Sequence, residues 1–213
     1  MAEGNDQRTD EWFIERMGKM TASRFSDVMA FNAPDKNGFC KPQEARAKYM
    51  RQLAFERLAE KPKQSVTSKS LAWGTDVEEF ACNAYQLATG NIVTKSTFVV
   101  HPTFTFIGAS PDGLVDLDGG CEIKCPWSEE VHIGTWLDGM PEEHRWQVQG
   151  NMFVTRRKWW DFISYDPRQK QRYQLYIERI ERDDTFIKTL ESGLLQFEVE
   201  LKAMLKKLDL RAA

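Results

Sequence analysis

The residues of this chain that could do chemistry lie in one short stretch. Ser110-Pro111-Asp112-Gly113 is followed by Glu122-Ile123-Lys124, with nine residues between Asp112 and Glu122. If Cys121 to Cys125 is a strand, Glu122 and Lys124 project from one face, two positions apart. Asp112, just ahead of the partner strand of a hairpin, can approach that face. Two carboxylates converging on one point repel each other, so the site favours a cation, and hard oxygen ligands suit magnesium or manganese. Beside the ion, a lysine can orient or deprotonate a water nucleophile, or stabilise charge developing on a phosphate. The metal lowers the water's pKa and neutralises the phosphoryl oxygens. In-line hydrolysis of a phosphodiester is the natural reaction for this set. Acid-x-Lys also occurs on ordinary solvated sheet faces, and Asp-Gly in routine turns. The Pro-Asp pair, the spacing and the hairpin context are what raise the stretch above them.

Cys121 and Cys125, with His132 nearby, form a competing metal set. Strand alternation puts residues 121, 123 and 125 opposite Glu122 and Lys124, with Ile123 in an apolar layer where free cysteine is often found. No second cysteine pair completes a tetrahedral set, so zinc is not expected. The four cysteines (Cys40, Cys82, Cys121, Cys125) are expected to be free thiols.

The elements that must position these residues follow from periodicity and punctuation. A first helix is expected from near Thr21 or Ser23, with Phe25, Val28 and Met29 inward. A loop over Asn32 to Pro42 separates it from a second, about Pro42 to Leu58, with Tyr49, Leu53 and Met50 on the apolar side. Thr75-Asp76-Val77-Glu78 has the form of a capping box opening a third helix. Val77, Phe80, Ala81, Ala84 and Leu87 are its apolar face, and Gly90 its C-terminal cap. Ile92 to Val100, Phe104 to Ala109, Gly113 to Leu117 and Cys121 to Cys125 read as short strands, with Asp118-Gly119-Gly120 as the tight turn between the last two. A helix over Glu142 to Val154, strands over Lys158 to Tyr165 and Tyr173 to Ile180, and a long helix from about Asp183 to Leu208 complete the chain. In that last helix Ile187, Leu190, Leu194, Phe197, Leu201, Met204 and Leu208 make a heptad-type seam, suited to packing on the sheet or to a subunit contact. The sum is an α/β or α+β domain with a single central sheet, expected to occupy residues 1–213 as one unit.

The net charge of −3 does not favour DNA binding. Its distribution is more informative. Lys41 to Lys63 holds seven basic and three acidic residues, Arg145 to Arg182 nine and four, and Pro111 to His144 one and nine. Two basic stretches around an acidic one suit a phosphate-binding surface around a metal centre, although charge blocks are commonly just solvated faces. The polar start, Met1 to Asp10, has no signal-peptide core, and no stretch is long and apolar enough to span a bilayer. A cytoplasmic protein without membrane partners is expected.

Taken together, these residues resemble the lambda exonuclease family (YqaJ-like, phage-type alkaline exonucleases) of the PD-(D/E)xK nuclease superfamily. The resemblance runs from Glu11 to about Arg182. It rests on Trp12 with Arg16 and Thr21-Ala22-Ser23, then Leu71-Ala72-Trp73-Gly74 leading to Glu78. Ser110-Pro111-Asp112-Gly113, Glu122-Ile123-Lys124-Cys125-Pro126, Gln147-Val148-Gln149 and Tyr165-Asp166-Pro167-Arg168 follow in family order. It implies a restriction-endonuclease-like core with a central mixed sheet flanked by helices. Asp112 and Glu122 match metal-binding carboxylates, Lys124 the catalytic lysine, the Ile123 carbonyl a further ligand, and Glu78 an acid beside the metals. Arg16, Thr21, Ser23, Ser110 and Gln147 match the pocket for a terminal 5′-phosphate, and Leu71 an apolar wedge at the DNA end. The implied activity is Mg2+-dependent, or Mn2+-dependent, two-metal 5′→3′ digestion of double-stranded DNA from phosphorylated ends, leaving a 3′ single strand. A homotrimeric ring, a single-strand annealing protein as recombination partner, and a bacterial host cytoplasm are implied too. An internally cutting nuclease of the same superfamily and an inactive DNA-end-binding protein are the alternatives.

Overall fold

Gly119–Lys124 forms the middle strand of a five-stranded sheet, and the rest of the chain is arranged around it. The computed structural model describes Gln7, residues 9–62 and residues 69–212, without the side chain of Leu71. Its elements are, in order, α1 (Asp10–Arg16), β1 (Met20–Thr21), α2 (Phe25–Val28), α3 (Glu44–Ala59), α4 (Lys69–Thr89), β2 (Val93–Thr94), β3 (Val99–Val100), β4 (Ile107–Ala109) and β5 (Gly113–Val115). After these come β6 (Gly119–Lys124), α5 (Glu129–Asp138), α6 (Arg145–Thr155), β7 (Trp159–Tyr165), β8 (Leu175–Glu181) and α7 (Asp184–Ala212).

The main sheet has the order β2-β5-β6-β7-β8 and is mixed: β6 and β7 are parallel, the other pairs antiparallel. Three short strands, β1-β4-β3, form a second sheet. The expected single central sheet is therefore corrected to two. The physical reason lies in Ile92 to Val100, which is not one strand. It breaks after Thr94, so that β2 joins the main sheet and β3 the small one.

α4 covers one face of the main sheet, placing Val77, Ala81 and Tyr85 on Val115, Cys121, Ile123 and Ile163. α6 covers the other, where Val148 and Met152 meet Trp160 and Phe162. The third and largest core lies around the small sheet. Met20, Phe25, Tyr49, Leu53 and Ile107 pack there against Ile187, Leu190, Leu194, Phe197 and Leu201 of α7. The α7 seam thus packs inside the protein, against α2, α3 and α6 and in the core around the small sheet rather than on the main one. Leu208, at its far end, is 42% exposed.

Three local expectations need correction. α4 begins at Lys69, so Thr75 lies inside the helix and opens nothing; its buried stripe is Val77, Ala81 and Tyr85, while Phe80 and Leu87 are exposed. Gly90 does close the helix, at φ 74° with its N–H on the Gln86 carbonyl. The helix near Thr21 is only a short 3-10 turn followed by the four residues of α2. The hairpin reverses before Gly119, with Asp116 at φ 47°, and Gly119 and Gly120 belong to β6 itself. These glycines are required by packing. A Cβ on Gly119 would lie 2.0 Å from the Trp159 ring, and one on Gly120 2.3 Å from Trp160. Among the described residues no helix is long and apolar enough to cross a membrane.

Candidate active site

β6 places its side chains alternately, as a strand must. Cys121 and Ile123 are buried toward α4, with Cys125 beside them, and Glu122 and Lys124 face α6. Glu122 is 1% exposed, and a buried carboxylate needs donors. It has three. Lys124 Nζ and Gln147 Nε2 both donate to Oε1 at 2.6 Å, and Asn151 Nδ2 donates to Oε2 at 3.0 Å. Gln147 and Asn151 stand four apart on α6, so one helix face grips the carboxylate. Gln147 Oε1 also accepts from Lys124 Nζ at 3.3 Å. Asn151 Oδ1 is buried with no hydrogen-bond partner among the described residues.

Asp112 approaches from the loop between β4 and β5. Its Oδ2 accepts the Ile123 N–H at 2.7 Å, just where β5 has stopped pairing with β6. The N–H and C=O of one strand residue point to the same edge, so the Ile123 carbonyl is turned to the edge where Asp112 sits. Burial, followed by the charge of Glu122, pushes the Asp112 pKa well above its ordinary value. Burial works against the Lys124 ammonium, but Glu122 and then Asp112 outweigh it and hold its pKa above the ordinary lysine value. Asp112 and Ile123 line a cavity of about 710 Å³ together with Glu78, Cys82 and Lys95.

The donor set is one a hard divalent cation takes: Asp112, Glu122 and the main-chain carbonyl of Ile123, with Glu78 lining the same cavity as Asp112. Among the described residues no three acidic, imidazole or thiolate side chains converge closely enough to cage an ion by themselves. The positive charge serving both carboxylates here is Lys124.

A second constellation adjoins the first. Arg16 Nη1 donates to Ser110 Oγ at 2.5 Å, and Trp12 Nε1 donates to the same oxygen at 3.0 Å. The guanidinium lies 4.0 Å over the Trp12 ring, and burial brings its pKa down to about 10. Arg16, Thr21 and Ser23 line one cavity of about 420 Å³, with Lys19, Arg24 and Gln52 also in its wall. Thr21 Oγ1 and Ser23 Oγ are 3.5 Å apart. Of the five residues matched to a phosphate pocket, four gather here: Arg16, Thr21 and Ser23 in the cavity, and Ser110 bonded to Arg16. Gln147 stands instead with Glu122 and Lys124. The two constellations share one support, since Ser110 and Asp112 are separated only by Pro111.

The Leu71 side chain, matched to an end wedge, lies outside the described residues. Sequence reasoning missed Asn151, although its spacing of four from Gln147 was legible. The sequence motifs likewise contain Trp12 and Arg168 but give neither a role.

Residues 11–158 match the YqaJ-like viral recombinase domain. The chain is 40% identical to the alkaline exonuclease LHK-Exo of Laribacter hongkongensis, covering 96% of this chain and 98% of that one with a TM-score of 0.85. The structure of LHK-Exo in complex with dAMP matches at the same identity and coverage with a TM-score of 0.86. A phage-related exonuclease from Haemophilus somnus 129PT, 15% identical over 89% of this chain and 96% of that one, has the same fold at a TM-score of 0.70. Among curated proteins, uncharacterized protein R354 of Acanthamoeba polyphaga mimivirus is 27% identical over 173 residues, which is 75% of this chain. The chain spans only 29% of that relative's length.

Proposed function

The chain belongs to the YqaJ-like viral recombinase domain family, and on that footing we propose that it is a DNA exonuclease that digests the 5′-ended strand of duplex DNA. The observation that carries this reading is the adjacency of two devices. Glu122 and Lys124 pair on β6, Asp112 accepts the N–H of Ile123 between them, and Arg16 is bonded to Ser110, two residues before Asp112.

A Mg2+ or Mn2+ ion would be held by Asp112, Glu122 and the Ile123 carbonyl, with Glu78 beside them. It would supply Lewis-acid chemistry, acidifying water and neutralising phosphate charge. The protein's own groups do the rest. Lys124, held protonated by its two acid neighbours, donates to a phosphate oxygen and steadies the charge that develops during cleavage. Gln147 and Asn151 fix the Glu122 carboxylate so that it need not reorganise. Arg16, stacked on Trp12, offers a planar guanidinium to a terminal 5′-phosphate, and Thr21 and Ser23 add neutral donors. Leu71 serves as the wedge that unpairs the end. The product is a 3′ single strand, the substrate of a single-strand annealing protein in recombination. A homotrimeric ring reconciles the net charge of −3 with DNA binding, because only its channel need be positive.

The test is digestion of 5′-phosphorylated linear duplex and of covalently closed circular DNA with Mg2+, scored as acid-soluble nucleotide. The linear duplex is released and the closed circle is untouched. Nicking of the circle would make the protein an internally cutting nuclease; no release from either would make it an end-binding protein. An Asp112→Ala protein as fast as wild type would remove Asp112 from the site.

A further inference from the structure

Immediately after Lys124 the chain leaves β6 through Cys125-Pro126-Trp127, and the main chain of this turn is held with unusual economy by one side chain. Arg168 donates to the carbonyl oxygens of Pro126 at 3.3 Å and Trp127 at 3.1 Å, and to Glu129 at 2.9 Å. Asp166, wholly buried, holds Arg168 in turn through both carboxylate oxygens, at 2.8 and 3.0 Å. Its Oδ1 also accepts the Arg168 N–H at 2.9 Å. The Tyr165-Asp166-Pro167-Arg168 motif is thus a brace for the turn that follows the catalytic lysine.

The braced turn presents an indole. Trp127 is 52% exposed, yet one side of its ring rests edge-on against Trp73, with centroids 5.7 Å apart at 83°. Trp73 is itself covered by the Arg168 guanidinium at 4.8 Å. A large apolar ring left half in water while its main chain and one flank are fixed is a preformed binding surface. It lies three residues from Lys124, at most ~10 Å along the chain.

We propose that Trp127 is a stacking platform for an unpaired nucleobase of the strand whose backbone lies at Asp112, Glu122 and Lys124. The inference rests on the nuclease reading. A strand end drawn onto those side chains must give up its base pairs, and each freed base exposes two apolar faces to water. A rigid indole three residues along the chain from the lysine covers one of them. Stacking accepts every base because every base has a π-face, which suits an enzyme that cannot choose its sequence. Trp73 sets the plane of the platform, and Arg168 sets its position relative to Lys124.

The experiment measures binding of a 5′-phosphorylated duplex by fluorescence anisotropy, with calcium in place of magnesium, for wild type, Trp127→Ala and Trp127→Phe. Each of the first few nucleotides of the 5′ strand is replaced in turn by an abasic residue. Trp127→Ala weakens binding roughly tenfold and Trp127→Phe much less. At one nucleotide position the abasic residue costs wild type about the same factor and costs Trp127→Ala nothing. Equal abasic penalties in both proteins at every position overturn the platform. So does a loss of binding that tracks a change in native mass, which would make Trp127 a subunit contact. Wild type that neither binds DNA ends nor digests them with Mg2+ overturns the nuclease reading instead.

Discussion

The side-chain amide of Gln147 donates to Glu122 Oε1 at 2.6 Å, the same oxygen that receives Lys124 Nζ. One carboxylate oxygen therefore carries a neutral and a charged donor, and both come from residues whose types were legible in the sequence. On the proposed reading, the pairing makes Gln147 a positioning residue for Glu122. Gln147→Ala is expected to lower kcat by roughly ten- to a hundredfold, the usual cost of removing a partner of a ligating carboxylate. The ratio of rates on 5′-phosphorylated and 5′-hydroxyl ends stays unchanged. A collapse of that ratio at constant kcat would return Gln147 to the phosphate pocket.

Arg16 should behave in the opposite way. It is stacked on Trp12 and bonded to Ser110. Arg16→Ala is expected to erase most of the preference for 5′-phosphorylated ends, roughly tenfold or more for the loss of a charged donor to phosphate. Competition between the two kinds of end in one reaction measures it. An unaltered preference would take Arg16 out of the role.

His144 supplies a pH dependence. Burial, and then the positive charge of Lys124, bring its pKa down to about 4, and its ring is stacked on Phe162 with centroids 5.3 Å apart. The folded protein keeps the imidazole neutral, whereas the unfolded chain takes up a proton near pH 6.5. Unfolding therefore gains a proton between those values, and this part of the stability is complete above about pH 6.5 and is lost as the pH falls toward about 4. Denaturant unfolding of wild type and His144→Gln over that range should show a steeper acid loss in wild type. Parallel curves would contradict the assignment.

Gly120 tests the packing that holds β6 in place. A methyl group there would meet the Trp160 ring at 2.3 Å, in a fully buried layer. Gly120→Ala is expected to cost about 1–3 kcal/mol, the range for overpacking a tight core. Because β6 carries Glu122 and Lys124, activity should fall with stability. Calorimetry showing an unchanged melting temperature would mean that Trp160 has room to move.

How much of this was legible depends on the distance over which each feature is decided. Alternation along β6 is a property of the strand alone, so the opposite facing of Cys121 and Glu122 followed from spacing. The α7 seam was equally local: Leu190, Leu194, Phe197 and Leu201 are all buried. What covers them was not, because nothing in the spacing says that Tyr49 and Phe25 form the opposing surface. The capping box at Thr75 failed since a good local signal was overridden by a helix already begun at Lys69. The turn at Gly119 and Gly120 failed since glycine there answers to two tryptophans some forty residues away. Resemblance matched Gln147 to the phosphate pocket, and only the three-dimensional course of α6 shows that it bonds Glu122 and Lys124.

Pro111 fixes its own φ, so Ser110-Pro111-Asp112 is a stiff span of at most ~7 Å from first to last Cα, with a different duty at each end. One end is tied to Arg16 and the other to the Ile123 N–H. On the proposed reading, the separation between where a strand is gripped and where it is severed is set by covalent geometry, as in a caliper locked at one opening. The bite then has the same length on every substrate, whatever bases pass through.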